Sequence, residues 1–344
     1  MLWRELDRET QAFGLATTGG TVSNTGIAGL TLGGGLGWLM GQHGLTIDNL
    51  ISADVVTADG QFRTASAADH TDLFWALRGG GGNFGVVTSF EYRLHPVGPI
   101  ITGGLVIHPF DAAGELLRFY RDFTADAPDE LTVFAGLVHA PDGSGLKVCG
   151  FVLCHVGTLE QAQKDLEPLL AFGSPLDVHL GPMPYSAVNA MLDESFPKGA
   201  RYYWKSSFLR ELSDGAIDTL VAQFAACPSA MTAMVIEHFH GEVTRIPSDA
   251  TAAPIRDAAY NVVIPSVWMD PADTDKNVAW ARNAYAALQP FMAERRYVNY
   301  LGEDDTGDDP VRAAYGPAYD RLVELKRKYD PDNLFRLNAN IKPS

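Results

Sequence analysis

The chain has 344 residues, 46% of them hydrophobic and 20% charged, with a formal net charge of −16. A single hydrophobic core stops growing beyond roughly 250 to 300 residues, so two domains are expected. No apolar run approaches the ~18 residues of a membrane helix, and the acid excess opposes the clustered Lys and Arg that a nucleic-acid backbone demands, so neither a membrane nor a nucleic acid is an expected partner.

The start, Met1-Leu2-Trp3-Arg4-Glu5-Leu6-Asp7, is acidic and lacks an apolar core. It reads as cytoplasmic rather than as an export signal. Residues 1–13 read as a helix, with Leu2, Leu6 and Glu9 to Phe13 on its apolar side and Gly14 as its stop. From Gly14 to Gly44 the glycines are too dense for a regular helix, so loops are expected there. Ile51 to Thr57 and Gln61 to Thr64, joined through Asp59-Gly60, read as a hairpin. A short helix from Leu73 to Leu77, a loop at Gly79 to Gly82 and a strand from Gly85 to Leu94 follow.

Pro96, Gly98 and Pro99 mark a boundary, because they stop both kinds of regular element. Beyond it, strands are expected near Gly104 to Pro109, Leu131 to Val138, Leu146 to Val156, Tyr202 to Phe208, Met231 to Phe239 and Tyr260 to Trp268. Helices are expected near Ala112 to Asp126, Leu159 to Phe172, Tyr185 to Leu192, Asp214 to Ala226 and Thr274 to Met292. That pattern suits an antiparallel sheet with helices on one face. Cys149, Cys154 and Cys227 lack zinc-ligand spacing and read as small buried hydrophobes.

Three glycine-rich loops beside strands offer rows of unhindered backbone N–H donors, which suit an extended anionic cofactor. Neither the dinucleotide fingerprint nor the nucleotide-triphosphate loop is present. The run Gly26-Ile27-Ala28-Gly29-Leu30-Thr31-Leu32-Gly33-Gly34-Gly35-Leu36-Gly37-Trp38-Leu39, then Gly44-Leu45-Thr46-Ile47-Asp48-Asn49, then Asp72 to Thr88 (DLFWALRGGGGNFGVVT), and finally Tyr329-Asp330-Pro331-Asp332-Asn333-Leu334-Phe335, resembles the FAD-linked oxidoreductases of the berberine-bridge type.

The resemblance implies an α+β fold: an incomplete PCMH-type FAD-binding domain and a substrate domain whose antiparallel sheet is covered by helices. Residues 1–98 would be the second half of the FAD domain, 99–294 the substrate domain, and 295–344 a segment returning to the FAD domain. It implies an enzyme that moves a hydride from an alcohol, sugar or secondary metabolite to the flavin, with molecular oxygen as acceptor. The pyrophosphate would lie against the loops at Gly19 to Gly29, with Gly20, Thr21, Val22, Ser23, Thr25, Gly26, Gly29 and Gly33 as cofactor contacts. The adenine would lie near Gly85, Val86 and Val87.

Tyr297-Val298-Asn299-Tyr300 resembles the family's Y-x-N-Y motif beside the flavin. As a strand it would place Tyr297 and Asn299 on one face and Tyr300 on the other. Tyr300 is the expected proton acceptor, with Tyr297 beside it, and Asn299, Asn338 and Asn340 are expected flavin contacts. Val22 stands where many relatives attach the flavin through cysteine, Leu30 where many have a histidine, and the opening segment that carries the covalent histidine has no counterpart. Non-covalent FAD is therefore expected, and a truncated, non-catalytic relative is the alternative.

A carboxylate base from the substrate sheet is not inherited, because Arg245 takes its place. Glu237 and Glu242 are nearby substitutes that otherwise read as sheet-edge charges. His238 and His240 share a strand face with Ile236 but lack a third metal ligand. A carboxylate-binding clamp could draw on Arg201, Arg210 and Arg245.

Overall fold

A computed structural model describes residues 1–140, 142–257, 259–305 and 308–343. The chain divides into two compact units. The first comprises Met1–Val97, Gly241–Asp257 and Arg295–Ser344, and the second Gly98–His240 and Ala258–Glu294. Gly241–Asp257 thus leaves the middle segment to which the sequence assigns it. The Arg256 guanidinium makes two 2.7 Å hydrogen bonds to Asp48, and the Trp75 indole and Arg78 donate to the carbonyls of Asp249 and Ala250.

The first unit opens with a helix over Trp3–Gln11, where the Glu5 carboxylate accepts from the Leu2 amide and stabilises the free N-terminal turn. Its buried side is Trp3, Asp7 and Thr10, not the expected Leu2, Leu6 and Phe13 side; Phe13 is 79% exposed. A two-stranded ribbon pairs β1 (Leu15–Ala16) with β5 (His95–Pro96). Within the glycine-rich stretch, two short helices form where only loops are expected, over Ile27–Leu32 and Met40–His43. Burial of Ile27, Thr31 and Leu32 along one side of the first offsets the entropic cost of Gly29.

The expected hairpin joins β2 (Leu50–Val56) to β3 (Phe62–Ser66), with Val56 opposite Phe62 and Ser52 opposite Ser66. Asp59 closes its turn by accepting from the Thr57 hydroxyl and the Gln61 amide, and Gly60 takes φ +74°. β4 (Val86–Tyr92) pairs antiparallel with the other side of β2. One face of this sheet packs Ala53, Val55 and Ala65 against helices over Thr71–Leu77 and Tyr319–Tyr329.

The second unit is built on seven antiparallel strands: β6 (Ile100–Pro109), β7 (Leu131–His139), β8 (Lys147–His155), β9 (Asp177–Pro184), β10 (Arg201–Leu209), β11 (Met234–His238) and β12 (Tyr260–Trp268), in the order β10-β12-β11-β7-β8-β6-β9. Helices over Ala113–Thr124, Asp214–Ala225 and Thr274–Leu288 cover one face. Leu131, Val133, Ala135 and Leu137 point into that core, as do Met234, Ile236, Val262 and Ile264, following the two-residue strand period.

The helix expected over Leu159 to Phe172 breaks into Leu159–Asp165 and Glu167–Ala171, because Pro168 cannot donate an amide to a continuing helix. The strand β9 was not expected. It is an edge strand, where Gly181, Pro182 and Pro184 are tolerated. No helix among the described residues is long and apolar enough to cross a membrane.

Candidate cofactor and substrate sites

In the first unit the loop after β1 turns its carbonyls toward the opening helix. The Arg4 amide donates to Ser23 O and the Trp3 amide to Thr25 O, at 3.0 and 3.1 Å. Among the described residues, no backbone carbonyl accepts from the amides of Gly19, Gly20, Thr21 and Val22. Gly19 and Gly20 are buried, and a buried N–H without an acceptor is costly, so this row of donors suits an anion.

The glycines here fall into two groups. A Cβ on Gly19 would lie 2.8 Å from the Trp3 ring, one on Gly20 2.7 Å from the Leu30 side chain, and one on Gly33 would overlap the Asn299 carboxamide. These glycines let the chain pack on itself. Gly26 and Gly29 have nothing within 4 Å of a Cβ position, and Gly26 has an ordinary φ of −70°. Packing demands glycine at neither; the open cradle beside the unpaired amides does fit an FAD pyrophosphate and its neighbourhood.

The loop is held to the turn after Ile27–Leu32 by Thr46, whose hydroxyl donates to Thr18 O at 2.8 Å and Gly35 O at 3.1 Å. Tyr297-Val298-Asn299-Tyr300 docks on the same turn. It is not a strand: Val298–Tyr300 form a single 3₁₀ turn, closed by the Tyr300 amide donating to Tyr297 O at 3.0 Å. The three-residue repeat of such a turn places Tyr297 and Tyr300 together, with ring centroids 4.9 Å apart and planes at 89°, instead of on opposite faces. The Tyr297 hydroxyl, 2% exposed, accepts from the Gly35 amide and from Asn299 Nδ2, each at 2.9 Å. Asn299 Nδ2 also donates to Leu30 O at 3.1 Å. Asn299, Tyr297 and Tyr300 are thereby gathered against Gly33 to Gly35.

A second cluster joins the four-glycine loop to the C-terminal segment. Asn83 Nδ2 donates to Gly80 O and Ala339 O, and its Oδ1 accepts from the Ile341 amide. Asn338 lies against Gly82, where a Cβ would approach its Nδ2 to 2.6 Å. Asn340 Oδ1 is buried without a hydrogen-bond partner. Val86, 57% exposed, begins β4 after the buried Gly85, with Val87 partly packed on the core.

The second unit corrects two expectations, those for Glu237 and for the arginine clamp. Glu237 is no sheet-edge charge: β11 lies between β12 and β7, and Glu237 is 4% exposed, with its Oε2 accepting from Asn261 Nδ2 at 2.7 Å. His238 and His240 stack at 4.8 Å, and burial, with His240 adding to it, lowers His238 to about 3, which keeps it neutral. Arg201 and Arg210 sit at opposite ends of β10, about 30 Å of extended chain apart, so they form no clamp. In the first unit, Arg245 is paired 3.5 Å from Glu242 on an exposed turn of helix. Cys149, Cys154 and Cys227 are buried free thiols.

Sequence reasoning passed over Thr46, Asp48, Arg256 and Asn261. Each is a polar residue whose partner lies far along the chain, and of the four only Thr46 and Asp48 fall in a motif stretch.

Comparison with known proteins agrees with this architecture. Residues 1–66 match the family model "FAD binding domain" and residues 296–342 the model "Berberine and berberine like". An FAD-linked oxidoreductase of Dictyostelium discoideum is 32% identical over 98% of this chain and 73% of its own length. The (R)-6-hydroxynicotine oxidase of Paenarthrobacter nicotinovorans is 31% identical over 98% of this chain and 75% of its own. The crystal structure of 6-hydroxy-D-nicotine oxidase from Arthrobacter nicotinovorans superposes with a TM-score of 0.90 at 27% identity, covering all of this chain and 77% of that one.

Proposed function

From the premise that this chain belongs to the berberine-bridge-like FAD-linked oxidoreductases, we propose that it oxidises an alcohol, sugar or other small secondary metabolite, with FAD held non-covalently and molecular oxygen as the final acceptor. The observation that carries this reading is the row of unpaired amides from Gly19 to Val22, beside the open positions at Gly26 and Gly29.

When bound, FAD supplies the hydride acceptor. The residues of the chain bind and orient. The amides of Gly20, Thr21 and Val22 would hold the pyrophosphate, while Ser23 and Thr25 fix the loop through their carbonyls. Gly85, Val86 and Val87 would border the adenine. Asn299 and Tyr297 lock the Gly33 to Gly35 turn through their shared hydrogen bonds, which sets where Tyr300 can act. Tyr300 accepts the substrate proton at its phenolic oxygen, a general-base role that typically contributes 10²- to 10⁴-fold. Asn338 and Asn340 would contact the flavin from the C-terminal segment, where Asn340 Oδ1 is buried without a hydrogen-bond partner.

Two measurements test the reading. Protein purified with added FAD should show flavin absorbance, and acid precipitation should release all the flavin to the supernatant. A colourless protein overturns the function, and flavin retained in the pellet overturns the non-covalent assignment. Tyr300→Phe should retain flavin and lower kcat by about 10²-fold or more; unchanged turnover removes Tyr300 from the proton transfer.

A further inference from the structure

Lys326, in the last turn of the helix Tyr319–Tyr329, has no exposure to solvent. Its ammonium carries three protons and meets three acceptors: Asp330 Oδ2 at 2.5 Å, Phe335 O at 2.7 Å and Asn83 O at 2.9 Å. Burial lowers its pKa, and the Asp330 carboxylate, equally buried, acts against that shift. Asp330 is as fully engaged, since it also accepts from the Leu334 amide at 2.7 Å and the Phe335 amide at 2.9 Å.

A buried ion pair is seldom the most stabilising choice, because apolar residues of similar volume often do as well or better. What apolar residues cannot do is join three stretches of chain at one atom. Lys326 joins the end of its helix, the C-terminal segment and the residue that follows the four-glycine loop.

The C-terminal segment is thereby pinned at Phe335 by Lys326, and at Ala339 and Ile341 by the Asn83 side chain. Both anchors run through Asn83, whose own carbonyl is a Lys326 acceptor. Asn338 and Asn340 lie between these points, and neither carboxamide takes part in the pinning. Asn338 is exposed beside Gly82, and Asn340 Oδ1 is buried without a hydrogen-bond partner. Contacts to a bound group are productive only when the chain that carries them is held to within roughly 0.5 Å.

We propose that Lys326 is a positioning residue for the cofactor: it sets the register of residues 335–341 on the four-glycine loop and acts on FAD through Asn338 and Asn340. This rests on the reading of those two asparagines as flavin contacts and adds the device that places them.

Fluorescence titration with FAD in a double-mutant cycle tests the assignment. Asn338→Ala with Asn340→Ala should weaken FAD binding about tenfold, and Lys326→Met about as much. All three changes together should weaken it by no more than about twofold beyond Lys326→Met alone, because contacts already misplaced have little left to lose. A lysine that only stabilised the fold would leave those contacts in place, and the two losses would multiply to about a hundredfold. Multiplied losses, or wild-type affinity in Lys326→Met, overturn the proposal. Should Lys326→Met fail to fold because Asp330 is stranded, Lys326→Met with Asp330→Asn removes both charges and replaces it in the cycle. Amide exchange on the wild type decides independently of any variant: FAD should slow exchange at Phe335 and Ile341 together, and unchanged exchange at both overturns the coupling. Failure of the wild type to bind FAD counts against the function itself. Unchanged affinity in the asparagine variant removes the flavin contacts, and the role of Lys326 with them, whereas multiplied losses remove the role of Lys326 alone.

Discussion

At the residue scale, the glycines that look alike in the sequence do two jobs, and substitution should separate them. Gly29 lies inside the helix Ile27–Leu32 with open space before it, so Gly29→Ala should raise the stability of the FAD-free protein by up to about 1 kcal/mol through helix propensity. Gly20→Ala would drive a methyl to 2.7 Å from Leu30 Cδ1 and should cost roughly 1 to 3 kcal/mol by overpacking. Both should weaken FAD, Gly29→Ala by occupying the approach and Gly20→Ala by displacing the amide row. Urea unfolding without cofactor and fluorescence titration with FAD measure the two effects separately. If Gly29→Ala leaves FAD affinity unchanged, the open space beside it is not where the cofactor lies.

At the level of elements, the segment Gly241–Asp257 is held to the first unit by a buried ion pair, with Arg256 2% and Asp48 6% exposed. Thr251 accepts from the same guanidinium at 3.0 Å, and the Leu45 amide donates to Asp48 at 2.7 Å. Removing one partner strands the other charge, so Arg256→Met should destabilise by about 3 to 5 kcal/mol, and Arg256→Met with Asp48→Asn by clearly less than the sum of the two single changes. A denaturant double-mutant cycle measures this; strict additivity would mean that the pair does not hold the segment. The same pair shows where the sequence could not be read. Asp59-Gly60 announces its hairpin because two adjacent residues dictate the turn, and the helices over Ala113–Thr124 and Asp214–Ala225 follow from local periodicity. Arg256 carries no local sign of burial, since its partner is 208 positions away. Tyr297 to Tyr300 fits either a strand or a tight turn by spacing alone, and only the hydrogen bonds of Tyr297 and Asn299 to Gly35 and Leu30 decide between them. Likewise β9, with glycine and two prolines, forms because an edge position forgives them.

For the whole molecule, acid acts in two opposing ways. The chain carries 42 acidic against 26 Lys and Arg residues, so lowering the pH toward its isoelectric point near 4.9 removes self-repulsion and favours the folded state. Histidines buried as neutral rings act against this in both units. Burial, helped by His95, lowers His43 to about 4 in the first unit, and burial, helped by His240, lowers His238 to about 3 in the second. Both start from an ordinary value of 6.5, so as pH falls below 6.5 the unfolded chain takes up protons that the folded chain refuses. The stability these rings protect is complete above pH 6.5 and is lost progressively toward their folded values. For His238, 7% exposed, the loss between pH 6.5 and 5 amounts to about 2 kcal/mol. The contribution of the half-buried His43 is smaller because solvent screens it. His238→Phe keeps a ring to stack on His240 and meet Tyr260, and removes the titration. Urea unfolding at pH 7 and pH 5 should therefore show the wild type losing about 2 kcal/mol more than His238→Phe over that interval. An identical pH dependence in the two proteins would mean that His238 is protonated in the folded state. In that case its stack with His240 would hold a charge against the sheet.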